Sequence, residues 1–217
     1  MSALPVNASV AHAGQGARLS APSALRNAPV LSNLLREVAP PSGRALEIAS
    51  GTGEQITRFA NILPLLDWHP TEIDRTRLAS IDAYRSEAAL PNLRPTRRLD
   101  ACAPGWSRDE PPSDLILLVN LLHLVSENAA RTVLTEAARA LASDGVFVIY
   151  GPFRRSGKLS SEGDMQFDAD LRAADPQIGY KDDQWMRHTL TDAGLTVKDV
   201  RDMPSNNLAF IAEKGKP

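Results

Sequence analysis

The sequence predicts an α/β fold built on a doubly wound, mostly parallel sheet. Short apolar runs alternate with segments of helical periodicity along most of the chain, which is the pattern of strands joined by crossover helices. The run at residues 114–119 is apolar after its first position, as expected of a central strand that is covered on both faces. The first apolar run ends near Gly51 and Gly53, which favour a tight turn from a strand into a helix.

The first half of the chain predicts one helix and then three strands. Leucines recur at helical spacing across residues 26–39 until Pro40 and Pro41 stop the pattern, so a helix precedes the sheet. The glycine turn follows the first strand, and Asp74 is placed to cap a helix after the second strand. The three strands are predicted at residues 45–49, at residues 65–72 and in a short segment that ends at residue 100.

The second half of the chain predicts four more strands. Ser126 is placed to cap an amphipathic helix after the fourth strand, and Gly194 ends a helix over residues 182–193. Residues 151–181 lack clear periodicity, which indicates an insertion or a lid. The strands are predicted at residues 114–119, 146–150, 195–200 and 208–212. The complete pattern predicts a Rossmann-like sheet of seven strands, mostly parallel, with an antiparallel last strand.

Length and composition indicate one globular domain. The chain has 217 residues, of which 43% are hydrophobic, and 24 Lys and Arg nearly balance 26 Asp and Glu. That balance predicts no broad nucleic-acid footprint. No apolar run approaches the roughly 20 residues that a membrane span needs. We therefore expect a single domain over residues 18–217 that binds neither nucleic acid nor membrane.

The first residues of the chain and its cysteine content indicate the cellular compartment. Residues 1–17 lack a basic start and an apolar block, which predicts a disordered tail and not a signal peptide. The single cysteine, Cys102, excludes an intrachain disulfide and fits a reducing cytoplasm. We expect a cytoplasmic monomer or homodimer. No His, Cys, Asp and Glu set has the spacing of a metal site, so no metal is expected.

The glycine turn predicts a ligand site, because ligands of open parallel sheets bind at the carboxyl ends of strands. The residues predicted to cradle this ligand are Ala49, Ser50, Gly51 and Gly53. A dinucleotide fingerprint would need a third glycine where the chain has Ile56, and the acid Glu47 lies inside the strand just before the turn. Both features favour S-adenosylmethionine, which has an ammonium group for Glu47 to hold and no pyrophosphate.

Polar residues at other strand ends complete the predicted cofactor site. Glu72 follows Gly53 by 72 − 53 = 19 positions, where an acid accepts hydrogen bonds from both ribose hydroxyls. Asp100 is placed to accept from an adenine amino group, with Ala101 or Cys102 supplying backbone contacts. Asn120 is expected to contact the methionine moiety or the methyl acceptor. For each acid the alternative is a solvated strand end or a helix cap.

Residues after the fourth and later strands are candidates for acceptor chemistry. His123 is the candidate general base or orienter, because its ordinary pKa of about 6.5 suits proton transfer near neutrality. The alternative is a histidine that packs or caps locally at a helix start. Tyr150, Asn206 and Asn207 offer hydrogen bonds to the acceptor, or instead fix the turns at the strand ends.

Six segments in order are similar to the motifs of one family. They are residues 46–54 (LEIASGTGE), 68–72 (WHPTE), 120–123 (NLLH), 150–153 (YGPF), 167–168 (FD) and 203–207 (MPSNN). From Arg26 onward the chain resembles the DUF938 family of class I S-adenosylmethionine-dependent methyltransferases, which includes methyltransferase-like protein 26. The resemblance implies the class I methyltransferase fold and its cofactor, and it adds Phe153 to the acceptor contacts. His69 and Glu72 stand where a glutamine and an aspartate are expected, and an expected Ser-Asn pair is not cleanly present around Ser161.

These observations predict transfer of a methyl group from S-adenosylmethionine to a small-molecule acceptor, with S-adenosylhomocysteine as the product. The insertion and the first helix would close over a pocket, and the atom that is methylated is left open between oxygen, nitrogen and sulfur. The alternative is a non-catalytic module with a cofactor-binding fold that serves as a partner subunit. A nicotinamide oxidoreductase is disfavoured by Ile56 and Glu47.

Overall fold

The structure, a computed structural model, describes residue 5 and residues 8–215 of the chain. In chain order the elements are β1 (His12–Ala13), β2 (Leu19–Ser20), α1 (Pro22–Val38), β3 (Gly43–Ile48), α2 (Glu54–Ile62), β4 (Leu66–Glu72), α3 (Arg75–Ala88), β5 (Arg97–Arg98), β6 (Ser113–Val119), α4 (Glu127–Ala140), β7 (Leu141–Arg154), α5 (Glu162–Ala174), β8 (Lys181–Asp182), α6 (Asp183–Asp192), β9 (Leu195–Asp202) and β10 (Asn207–Lys214). Short 3₁₀ turns lie at Trp106–Asp109 and Leu122–Leu124.

Seven strands form the central sheet in the order β5, β4, β3, β6, β7, β10, β9. Neighbouring strands from β5 to β7 are parallel, whereas β10 is antiparallel to both β7 and β9. The two residues of β8 pair with the end of β7, off this path. The predicted α/β, Rossmann-like sheet with an antiparallel last strand is therefore confirmed. The strand order reverses direction between β3 and β6, and ligands of such sheets bind at that switch point.

Two helical layers cover the sheet. Helices α1 and α2 pack on one face, and α4 and α6 pack on the other. Alternate residues of β6 enter different layers, since Leu115 and Leu117 belong to the first core and Ile116 and Leu118 to the second. This double burial explains why the β6 sequence is a continuous apolar run.

Local sequence signals set several helix ends. The Asp74 side chain caps α3 by accepting a 2.9 Å hydrogen bond from the Arg77 amide, and Ser126 caps α4 through the Ala129 amide at 3.2 Å. Both caps were expected from the sequence, and each satisfies an amide that has no partner within its helix. Helix α1 begins at Pro22, four residues before the predicted start, and proline suits a first helical position because it has no amide to leave unpaired.

Two segments differ from the sequence expectation. Within the predicted disordered tail, His12 and Ala13 pair with Ser20 and Leu19, while residues 1–4, 6 and 7 lie outside the described part. Within residues 151–181, the first four residues extend β7 and α5 occupies 13 residues. The helical pattern of α5 was obscured by two buried acids, Asp164 and Asp168, on its inner face.

Candidate functional site

The turn between β3 and α2 presents backbone to a cavity. Ala49 has a φ of 55° and Gly51 has a φ of 62°, so two residues in three adopt the left-handed conformation. For alanine this conformation costs roughly 1 kcal/mol or more, and such strain is concentrated at functional sites. A Cβ built on Gly51 meets nothing within 4 Å, whereas one built on Gly53 would lie 2.7 Å from the Cα of Ile81. The first glycine therefore borders open space, and the second lets α3 approach closely.

Glu72 joins this turn to the end of β4. One carboxylate oxygen accepts a 3.0 Å hydrogen bond from the Gly51 amide, and the other accepts from the amides of Ile73 and Asp74 at 2.7 and 3.2 Å. The side chain is 5% exposed. Three backbone donors hold the carboxylate in one orientation, and the remaining lone pairs of its oxygens are available to hydroxyl donors of a ligand.

Asn120 and Asp100 lie at the ends of β6 and β5. Asn120 has a φ of 55°, and its backbone amide donates to the Tyr150 carbonyl at 2.8 Å. This conformation turns the chain out of the sheet. Asp100 is exposed, and its carboxylate accepts a 3.0 Å hydrogen bond from the Cys102 amide. Burial, with a smaller effect from Asp100, raises the pKa of the Cys102 thiol, so this cysteine is not an activated nucleophile.

These strand ends meet around one cavity of about 660 Å³, within the size range of small-molecule sites. The predicted cofactor residues on its wall are Ala49, Ser50, Gly51, Glu72, Asp100, Ala101 and Asn120. Glu47 and Gly53 are not on the wall. The structure thus brings together seven of the nine residues that were predicted to bind the cofactor.

Glu47 lies behind the glycine turn. Its side chain is 2% exposed, and one carboxylate oxygen has no hydrogen-bond partner. Burial raises the pKa of this carboxyl to about 7; a hydrogen bond from Ser50 opposes the rise, and the nearby charge of Glu72 adds to it. This placement does not support the direct ammonium contact predicted from the sequence.

The insertion closes one side of the cavity. Asp175, Gln177 and Ile178, which follow α5, line it together with residues after β6. The buried Lys181 fixes this loop in place, because its ammonium donates to the carbonyls of Val125 and Gly179 at 2.7 and 2.9 Å. Burial lowers the pKa of Lys181 to about 8. Residues 175–178 therefore occupy the position expected of a lid.

The proposed base is not part of the cavity wall. His123 is 6% exposed, and its ring lies 5.8 Å from the Phe167 ring and 6.3 Å from the Tyr180 ring. Its Nδ1 has no hydrogen-bond partner, and burial together with the charge of Lys181 lowers its pKa to about 3. The structure therefore places the His123 ring against two aromatic rings and not on the cavity wall, and its role as a base stays a prediction.

The four predicted acceptor-binding residues also lie off the cavity wall. The Tyr150 hydroxyl is buried and accepts a 3.1 Å hydrogen bond from the Asn207 amide group, which also donates to the Pro204 carbonyl. Phe153 packs edge-on against Phe210 in the core, with ring centroids 5.0 Å apart. The two asparagines and Tyr150 therefore fit the alternative role of fixing strand-end turns.

Asn206 has a different partner. Its amide group donates to the Asp164 carboxylate at 2.9 Å, and the same acid accepts from the Tyr180 hydroxyl at 3.2 Å. Asp164 lies in the first turn of α5. Asn206 thus ties the turn before β10 to the insertion and is exposed to solvent on its other side.

Several wall residues were missed from the sequence. They include Ala8, Ser9, Val10, Ala21, Ser23, Ala24, Gln55, Ile73, Asp74, Arg77, Leu99, the residues after β6 other than Asn120 and the residues after α5. Cys102, expected as an alternative backbone contact beside Asp100, also lies on the wall. Most of the missed residues are small or apolar and carry no chemical signature. Arg77 and Gln55 are polar, but only the helix starts at Glu54 and Arg75 would have indicated that they lie near the carboxyl edge of the sheet.

No helix within residues 8–215 is long and apolar enough to cross a membrane. In the same described part, no cluster of three or more His, Cys, Asp or Glu residues has the arrangement of a metal site.

Solved structures with the same fold include proteins that are named as methyltransferases and one that was solved with SAH. An O-methyltransferase family protein from Burkholderia thailandensis is 15% identical with a TM-score of 0.75, covering 89% of this chain and 57% of its own. The mitomycin 7-O-methyltransferase MmcR is 14% identical with a TM-score of 0.74, covering 89% of this chain and 54% of its own. PigF, solved with SAH, is 17% identical with a TM-score of 0.72, and the match covers 88% of this chain and 56% of PigF. The chain therefore spans a little over half the length of these proteins, and the likeness establishes the fold.

The family comparison covers nearly all of the described residues. Residues 18–214 match a family described as "Protein of unknown function (DUF938)". The match begins just before β2 and ends at the last residue of β10, so it includes the central sheet, the insertion and the whole cavity wall except residues 8–10. The chain belongs to the DUF938 family.

Proposed function

We propose that this protein transfers a methyl group from S-adenosylmethionine to a small-molecule acceptor. One observation carries the proposal: a cavity at the switch point of the sheet brings together the left-handed turn at Gly51, the oriented carboxylate of Glu72, and Asp100 and Asn120. Each neighbouring strand end thereby contributes a group suited to one part of that ligand.

Different residues of the cavity wall would bind different parts of the ligand. Glu72 would accept hydrogen bonds from the ribose hydroxyls, and Asp100 with the Ala101 backbone would hold the adenine. Gly51 and Asn120, which both line the cavity and have a positive φ, would position the methionine moiety. The cofactor supplies a methyl group on a sulfonium that already carries its leaving group. The protein's part is then to bind, align and exclude water, which supplies much of the rate of such a displacement.

The enclosed shape of the cavity favours a small acceptor. The loop at residues 175–178 covers one side, and residues 8–10 and the start of α1 cover another. An open groove for a polypeptide or a nucleic acid would lack such covers. The names of the structural neighbours, which include a mitomycin 7-O-methyltransferase, are in keeping with a small-molecule acceptor.

Titration calorimetry with S-adenosylhomocysteine tests the cofactor. We expect Glu72→Gln to weaken binding by about tenfold or more, because a charged acceptor of two hydrogen bonds is lost. The matched control is Glu37→Gln at the exposed end of α1, which should bind as the wild type does. Failure of the wild-type protein to bind S-adenosylhomocysteine or S-adenosylmethionine would end the proposal.

A second candidate function is a cofactor-binding module without turnover that acts as a partner subunit. The observation that favours it is the removal of His123 from the cavity wall, since no other histidine lines the cavity among the described residues. Transfer of labelled methyl from S-adenosylmethionine into a fractionated metabolite extract separates the two. Labelled product supports the enzyme, and binding without any transfer supports the module.

Two properties stay predictions. We expect the protein to be a monomer or a homodimer, which light scattering on the purified chain checks, and to be cytoplasmic, which fractionation of cells checks.

A further inference from the structure

The segment before α1 forms part of the cavity wall. Ala8, Ser9 and Val10 line the cavity beside Ile73 and Asp74, which directly follow Glu72. We call residues 8–20 the N-terminal strap. It crosses the cavity beside the acid assigned to the ribose, and Ala8 packs against the apolar cluster that contains Ile178 of the loop at residues 175–178. Its residues up to 17 were expected to be disordered.

A side chain of α3 holds the strap at this point. The Arg77 guanidinium donates to the Ser9 carbonyl at 3.1 Å and to the Ser9 hydroxyl at 2.5 Å. Arg77 lies in the first turn of α3, and its own amide is bound by the Asp74 cap. The backbone of Arg77 is therefore held in place, and both hydrogen bonds of its guanidinium are to Ser9 of the strap.

The far end of the strap has separate anchors. The Leu19 amide donates to the Ser80 hydroxyl at 2.8 Å, and that buried hydroxyl donates to the Thr52 carbonyl at 2.7 Å in the glycine turn. The Ala21 amide donates to the Glu54 carboxylate at 2.8 Å. Between the two ends, the β1 and β2 pairing folds the chain back on itself. The strap is thus joined to the cofactor turn at one end and to Arg77 at the other.

The hydrogen bonds from Arg77 are the ones that tie Ser9 to α3. Among the described residues that line the cavity, Arg77 is the one basic side chain, and residues 8–10 make no strand pairing of their own. Release of Ser9, together with loss of the packing of Ala8 against the cluster that contains Ile178, would uncover the cavity next to Ile73 while Leu19 and Ala21 stay bound.

We propose that the N-terminal strap is a wall of the cofactor site over the nucleoside half of the ligand, and that Arg77 is the positioning residue that keeps it closed. The inference rests on the proposed function, because it takes the ligand to be S-adenosylmethionine or its product. Dissociation of the ligand then requires the strap to open, so loss of the Arg77 contacts raises the dissociation rate.

Binding of two probe ligands tests the role of Arg77. We expect Arg77→Gln to weaken S-adenosylhomocysteine by about tenfold, mainly through faster dissociation, because two hydrogen bonds from a charged donor are lost. 5′-Methylthioadenosine, which has the nucleoside but no amino-acid end, should weaken by a similar factor. Arg75→Gln, an exposed arginine on the same helix, is the matched control and should bind as the wild type does. Arg77→Lys should recover part of the affinity.

Limited proteolysis with elastase, which cuts after small apolar residues such as Val10, tests the strap at the end that Arg77 holds, without any variant. With S-adenosylhomocysteine at ten times its Kd, we expect cleavage at this site to slow about tenfold, since the ligand binds the closed form. The proposal for the strap would be overturned by equal cleavage rates with and without ligand. It would also be overturned if Arg77→Gln had wild-type affinity and an unchanged Tm. If the wild-type protein binds neither probe, the proposed function fails and the inference falls with it.

Discussion

Replacement of Glu47 by glutamine should stabilise the protein at alkaline pH. This carboxyl is 2% exposed, one of its oxygens has no partner, and burial raises its pKa from 4.5 to about 7. Because the pKa in the folded protein is above that in the unfolded chain, the group's stabilising contribution is complete below pH 4.5 and is lost as the pH rises through 7. At 1.36 kcal/mol per pKa unit, the loss is about 3 kcal/mol.

Glu47→Gln keeps the shape of the side chain and cannot ionise. The difference in the free energy of unfolding between variant and wild type should therefore grow from near zero at pH 4 to about 3 kcal/mol in favour of the variant at pH 8. Urea unfolding followed by circular dichroism at several pH values measures it. Glu37→Gln, at an exposed ion pair, is the control and should show no such growth. A difference that stays flat from pH 4 to pH 8 would refute the reasoning.

Two further predictions concern the glycine turn and the buried histidine. Gly53→Ala should lower the free energy of unfolding by about 2 kcal/mol or more, because its Cβ would lie 2.7 Å from the Ile81 backbone. Gly51→Ala, with a φ of 62° and open space around its Cβ, should lose only about 1 kcal/mol and should weaken S-adenosylhomocysteine by about tenfold. Thermal melts and calorimetry on the two variants check this contrast, and equal Tm losses would contradict it. His123→Leu should make the protein less sensitive to acid, since a histidine whose pKa falls from 6.5 to about 3 on folding costs stability progressively as the pH drops below 6.5. Urea unfolding at pH 5 and 7.5 measures the effect, and an unchanged pH dependence would count against it.

The expected site and the observed site share their glycine turn and their strand-end acids. Gly51, Glu72 and Asp100 could be predicted because a parallel sheet places the carboxyl ends of its strands on one edge, whatever the rest of the chain does. The same logic placed His123 and Tyr150 at that edge. His123 does follow the end of β6, whereas Tyr150 lies inside β7, which continues to Arg154. That logic could not tell which way each side chain points, and both side chains turn inward.

The insertion shows why that direction is not a local property. His123 is enclosed by Phe167 and Tyr180, which are 44 and 57 positions later in the chain (167 − 123 and 180 − 123). The periodicity of residues 151–181 is weak because α5 buries acids that bond to the backbone and side chain of Tyr180. When the residues that bury a polar side chain are this distant in the chain, the sequence around that side chain does not indicate its burial.

The sequence by itself determined the strand and helix alternation, the caps at Asp74 and Ser126, and the turn at Gly51. These depend on periodicity and on hydrogen bonds between residues a few positions apart, so neighbouring residues suffice to specify them. Only the tertiary structure decided that His123 is part of the core and that Ser9 lies against Arg77, 68 positions away, beside the cavity. Both placements depend on contacts between segments that are far apart in the chain, and those contacts form only when the whole chain packs.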